Sequence, residues 1–193
     1  MELIKFLILM GFFSALFGCK SDITKKNTVE VDGQQIQTIE SENPLSPDFV
    51  LQDLNDKQKK AFSAILKSAE SFIKKYSDKE DYQNAENLDY VLEQWKNDKS
   101  VTKSNKNDVV EMLGCAFGQD IINSLNCEWQ VLTDKYGSDF TVIHKKYKIN
   151  GFPFSSVDKA IEEDRKESLN GIRLVLKKNI EDAQNGAGYD ERK

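Results

Sequence analysis

Residues 109–145, VVEMLGCAFGQDIINSLNCEWQVLTDKYGSDFTVIHK, change period partway along, and that change decides the fold. Up to Leu125 the apolar residues recur at helical spacing over most of the circumference, the signature of a helix surrounded by other elements. From Cys127 they alternate: CEWQVLTD and DFTVIHK each read as a strand, and KYGS between them, with Gly137, reads as a turn. A central buried helix followed by a β-hairpin makes this an α+β domain. The helix is expected to start near Asp108 with Glu111 at its third position. Gly114 and Gly118 each cost about 1 kcal/mol against alanine inside a helix, so their spacing of four points to a groove where another backbone comes close.

Working outward toward the N-terminus, LNDKQKKAFSAILKSAESFIKKY opens with a capping box, Asn55 and Gln58. It then places Phe62, Ile65, Leu66, Ala69, Ile73 and Tyr76 on one face. NAENLDYVLEQWKND offers Asn84 as N-cap and groups Leu88, Val91, Leu92 and Trp95. Toward the C-terminus, KYKINGFPF allows a third short strand before Pro153. Ser155 with Asp158 is expected to cap one last helix, striped by Val157, Ile161, Ile172, Leu176 and Ile180. The expected architecture is therefore helices at both ends packed on a small antiparallel hairpin or three-stranded sheet. The domain runs over residues 51–182, followed by a flexible tail, 183–193.

The first 19 residues read differently. Lys5 and the amino terminus form a short positive region, and Phe6 to Phe17 make an apolar run of 12 closed by Gly18. A helix of that run reaches roughly 18 Å, short of the ~30 Å hydrocarbon core, so it suits a cleaved signal peptide (residues 1–18) better than a membrane span. Leu16-Phe17-Gly18-Cys19 resembles a bacterial lipobox, in which the cysteine carries a diacylglyceryl thioether and becomes the first residue after cleavage; Phe17 is bulkier than that position usually holds. The resemblance implies a lipoprotein anchored in the cell envelope through acyl chains such as palmitate on Cys19, in the outer membrane where the cell has one. Residues 19–50, polar and containing two prolines, then form a solvated tether. A short strand fits within it at Thr28–Val31 or Gln35–Ile39.

Charge narrows the partners. With 32 acidic and 27 basic side chains the chain is formally −5, which argues against nucleic acid and against an electrostatic hold on anionic lipid. The lysine-bearing runs KQKK, HKKYK and LKKN have acidic neighbours and read as solvated faces. No glycine-rich phosphate loop follows a strand, so no nucleotide cofactor is expected, and no other cofactor is indicated.

The groups that carry chemistry are few. Cys115 and Cys127 are separated by a helix that would hold them about 15 Å apart, beyond the ~7 Å limit for a disulfide, and read as two separate buried thiols. An early-ending helix would revive the bridge. His144 is the one histidine; with no second histidine or cysteine pair beside it, a surface or interface position is expected rather than a metal site. Asp134 and Asp139 flank the hairpin turn and Glu128 opens its first strand. Paired carboxylates can divide acid and base roles when burial separates their pKa values, although turn aspartates more often bond to the local backbone. Trp129 shares a strand face with Cys127 and Val131 and is first a core residue. Together Trp129, Asp134 and Asp139 are the candidate ligand or partner surface.

The order Leu113-Gly114, Gly118, Trp129, Asp134, Gly137, Pro153 and Val157 to Lys159, over residues 85–165, resembles a bacterial family of uncharacterised domains, DUF3806. That family carries no established reaction, so the resemblance implies a fold and leaves the activity open. Two readings stand: a non-enzymatic envelope module that binds another envelope protein, cell-wall material or a toxin it neutralises, or a carboxylate-dependent hydrolase acting on cell-wall material.

Overall fold

The computed structural model describes residues 24–31, 34–41, 49–79, 84–163 and 168–186; the signal-peptide and Cys19 readings and the last seven residues of the tail lie outside them. Two polar strands, β1 (Thr24–Val31) and β2 (Gln34–Ser41), pair antiparallel with Val31 opposite Gln34. Both strand positions that the tether allows are thus occupied, in longer strands that form a sheet of their own.

The domain follows as β3 (Val50–Asp53), α1 (Asp56–Tyr76), α2 (Ala85–Asn97), α3 (Lys106–Leu125), β4 (Cys127–Asp134), β5 (Gly137–His144), β6 (Asn150–Gly151), α4 (Pro153–Glu162) and α5 (Ser168–Gln184). Its sheet is antiparallel with order β3-β4-β5-β6, four strands where a hairpin or three strands are expected. The extra strand is β3, with Val50 opposite Thr133 and Asp53 opposite Gln130. Four residues at a sheet edge bury one face at most, and Val50 remains 57% exposed, so VLQD carries little periodic signal.

Helix starts follow local chemistry. The Asn55 side chain accepts from the Gln58 N–H while the Gln58 side chain accepts from the Asn55 N–H, both at 2.9 Å, the expected capping box. Asn84 caps α2 as expected. Helix α3 begins three residues earlier than expected: Asn105 is the N-cap and accepts from Asp108 N–H at 3.0 Å, so Asp108 holds the third position instead of Glu111. Helix α3 buries Val109, Val110, Leu113, Cys115, Ala116, Phe117 and Ile121, which makes it the centre of the domain. It ends at Asn126, whose φ of 52° and ψ of 42° turn the chain into β4 within one residue. Asparagine tolerates that left-handed geometry better than most residues.

The glycine groove receives two different things. A Cβ on Gly114 would stand 2.9 Å from Cα of Phe154, so a backbone does approach there. A Cβ on Gly118 would collide with the Trp129 indole, so here the groove holds a side chain. Around them Phe62, Trp129, Phe140 and Phe154 form one aromatic cluster. Phe62 meets Trp129 and Phe140 edge-on at 4.9 Å, and Trp129 lies 5.7 Å from Phe154. Such pairs contribute about 0.5–1.5 kcal/mol each beyond area burial and here join α1, β4, β5 and α4.

The single last helix is in fact two. Pro153 occupies the first turn of α4, where its missing N–H costs nothing, so the helix starts before Ser155 and no side chain caps it. Ser155 instead donates to Asp139, and Asp158 pairs with Lys106 at 2.7 Å. The expected stripe divides, Val157 and Ile161 falling on α4 and Ile172, Leu176 and Ile180 on α5.

Candidate functional site

Each of the three surface candidates makes local contacts within the domain. Trp129 is half-buried, its indole seated over Gly118 within the aromatic cluster. Asp134 accepts from Tyr136 N–H at 2.8 Å, an aspartate turn that shapes the hairpin. Gly137 follows with φ 134°, a conformation that other residues rarely adopt. Asp139 accepts from Phe140 N–H at 2.7 Å and from Ser155 Oγ at 3.3 Å. Burial pushes its carboxyl above the usual carboxylate range, and those two hydrogen bonds oppose the rise.

Register decides whether the carboxylates can act together. Asp139 faces Leu132 and Glu128 faces Ile143, so Glu128 and Asp139 are separated by four residues of strand. That is about 13 Å at ~3.3 Å per residue, wider than the ~5–9.5 Å of glycosidic acid and base pairs. Asp134 and Asp139 are diagonal neighbours on one face, about 7–8 Å apart by sheet geometry. Of these two, Asp134 is held by the turn. Glu128 accepts from Gln130 Nε2 at 3.4 Å, and the same amide reaches Asp53 at 2.9 Å.

His144 is buried, 3% exposed, which corrects its expected surface position. Its Nδ1 accepts from the backbone N–H groups of Lys146 and Tyr147 at 3.2 and 3.1 Å, and its ring stacks on Tyr147 at 5.0 Å. With Nδ1 occupied as acceptor, the ring proton sits on Nε2. The histidine therefore organises the tight return after β5.

Cys115 and Cys127 are free and buried. Their thiols donate to separate carbonyls, of Phe62 at 3.7 Å and Leu125 at 3.5 Å. Burial pushes both up to about 12, far from the thiolate that nucleophilic chemistry needs.

Two features escaped sequence reasoning. Asp89, buried in α2, accepts from Leu169 and Asn170 N–H at 3.0 and 2.9 Å and so holds the first turn of α5. A cleft of about 360 Å³ also opens beside the end of α3, lined among others by Asn126, His144, Arg173, Lys177 and Glu181. Lys177 belongs to the LKKN run that reads as a solvated face; its signal was the helical spacing of four from Arg173. Among the described residues no cluster of three His, Cys, Asp or Glu side chains is placed to hold a metal, and no helix is long and apolar enough to cross a membrane.

These elements define a small α+β domain in which five helices gather around a four-stranded antiparallel sheet. Residues 89–172 match the family model described as Domain of unknown function (DUF3806), somewhat under half of the chain. No curated protein and no solved structure matches it.

Proposed function

We propose that the chain is an envelope lipoprotein, held by acyl chains on Cys19, whose α+β domain acts by binding rather than by catalysis. What carries the reading is the use to which the reactive side chains are put. His144, Asp134 and Asp139 each accept backbone N–H groups, and both thiols of the domain are buried. The apolar run closed by Gly18-Cys19 supports the anchor. Mass spectrometry of the membrane-fraction protein tests it: the expected result is an N-terminus at Cys19 with added acyl mass, lost in Cys19→Ala, and an intact Met1 would sink it. For the binding role, cross-linking in intact cells is expected to capture an envelope protein or toxin whose purified form binds the domain saturably. Partners that show only non-saturable binding once purified would end the reading.

A second reading, a carboxylate-dependent hydrolase of cell-wall material, is favoured by one observation: Asp139 is half-buried with a raised pKa and lies beside a serine hydroxyl. Activity on cell-wall fragments that is equal in wild type and in an Asp134→Asn, Asp139→Asn double variant would dispose of it.

A further inference from the structure

His144 holds the chain that follows it through one ring nitrogen. Its Nδ1 accepts from Lys146 N–H at 3.2 Å and from Tyr147 N–H at 3.1 Å. Its own N–H donates to Ile149 O at 2.9 Å, which closes the return of residues 145–149 between β5 and β6. The ring also stacks on Tyr147, with the two planes 11° apart. His144, Tyr147 and Ile149 are all buried, and the return leads through β6 into Pro153 at the start of α4.

Both amide contacts need the neutral ring. A proton on Nδ1 turns the acceptor into a donor, so two backbone N–H groups then face a third and lose their partner. The neighbouring charges add to that conflict more than they relieve it. Lys145, Lys146 and Lys148 lie in the return itself, with Lys146 Nζ 5.1 Å from the centre of the Tyr147 ring. From α5, Arg173, Lys177 and Glu181 line the cleft that His144 also lines, two cations against one carboxylate, and that carboxylate lies 3.8 Å from Lys177. Cys127 stands opposite His144 in the register and carries a thiol that burial keeps protonated. The C-terminal dipole of α3 favours a cation here, but it acts at longer range than two N–H groups at hydrogen-bonding distance.

We propose that His144 is an acid-sensitive latch: a proton taken up from solvent by its ring releases residues 145–149, exposing Tyr147 and loosening the approach to α4 while the rest of the domain stays folded. The closed form excludes a proton that the open form accepts at the ordinary histidine value, ~6.5. Opening is therefore level above that pH and rises by up to about tenfold per unit below it. The latch rests on the fold alone and stands whether or not Cys19 is acylated.

The test follows hydrogen exchange of backbone amides by NMR in the full-length chain in detergent, from about pH 7.5 to about pH 5, with rates taken relative to unstructured peptide. In the wild type the Lys146 and Tyr147 amides are expected to lose protection by up to about tenfold per pH unit below ~6.5, while those of Leu88 and Val91 in α2 keep theirs. The imidazole nitrogen shifts at the upper pH should report a neutral ring protonated on Nε2. His144→Asn offers a carbonyl oxygen in place of Nδ1 and does not titrate, so it should hold the return with no such slope. A ring that takes up its proton with both amides still protected overturns the proposal. So does an equal loss of protection in α2, which is unfolding of the whole domain, and so does an unchanged slope in His144→Asn. If that variant fails to fold, the wild-type amides and ring shifts decide alone.

Discussion

Asp89 and Leu169 are separated by 80 residues of chain and joined by one 3.0 Å hydrogen bond, from the Leu169 N–H to the Asp89 carboxylate. With the 2.9 Å bond from Asn170 N–H it makes a helix cap supplied by another helix, α2 serving α5. Capping side chains contribute about 0.5–2 kcal/mol, and a buried one belongs at the upper end. Asp89→Ala is therefore expected to lower unfolding free energy by about 2 kcal/mol. Asp89→Asn, which keeps one acceptor, should recover part of it; urea denaturation of both variants measures the difference.

Gly118 and Trp129 occupy one volume between them. Gly118→Ala forces the indole off its seat and should destabilise by about 1–3 kcal/mol, the range for overpacked cores, with a shift in tryptophan emission because Trp129 moves. Wild-type stability and emission would show that the groove is not closed by that ring.

Asp98 links the ends of α1 and α2. Its carboxylate accepts from Tyr76 Oη at 2.6 Å, from Ser100 N–H at 2.7 Å and from Lys75 Nζ at 3.2 Å. The Tyr76 hydroxyl first, then the Ser100 contacts, hold its carboxyl well below the usual range. A depressed folded-state pKa means stability that is fully present above the unfolded value, ~3.9, and lost as pH falls toward the folded one. Asp98→Asn should accordingly flatten the acid limb of the stability profile while leaving its neutral shape unchanged.

Asp139 works in the opposite direction. Burial raises its folded-state pKa, so stability is greatest below the unfolded value, ~3.9, and declines as pH rises through the folded one. Asp139→Asn keeps an acceptor for Phe140 N–H and removes the buried charge. It is expected to match or exceed wild-type stability at pH 7, and a clear loss there, measured by thermal unfolding, would mean that the ionised form is needed.

The two domain thiols should be inert. In a Cys19→Ser chain, neither Cys115 nor Cys127 is expected to react with an aromatic disulfide reagent at neutral pH until denaturant is added, after which both do.

How much of this was readable depended on distance along the chain. The capping box of Asn55 and Gln58 and the stripe of Leu88, Val91, Leu92 and Trp95 involve residues within a few turns of one another, and each appears where the pattern places it. The hairpin from Cys127 to His144 was legible for the same reason. Strand β3 was not, because its only reason to be a strand is β4, far along the chain. Nor was the Asp89 cap of α5, for which Ser168 and Leu169 hold no local sign. His144 is the instructive error: the second half of β5 is buried on both faces, Thr141, Val142, Ile143 and His144 alike, and that burial outweighs the general preference of histidine for the surface. The cleft had the weakest signal, since Arg173 and Lys177 look like any exposed helical pair until α3 and β5 are placed beside them.

Asn126 has a consequence for how the domain comes apart. A twenty-residue helix and the strand beside it meet with a single left-handed residue between them, leaving no slack for one to loosen while the other stays. The amides of α3 and β4 should then exchange with solvent together, in one opening event as rare as global unfolding, whereas the edge strand β3 exchanges through smaller and more frequent ones.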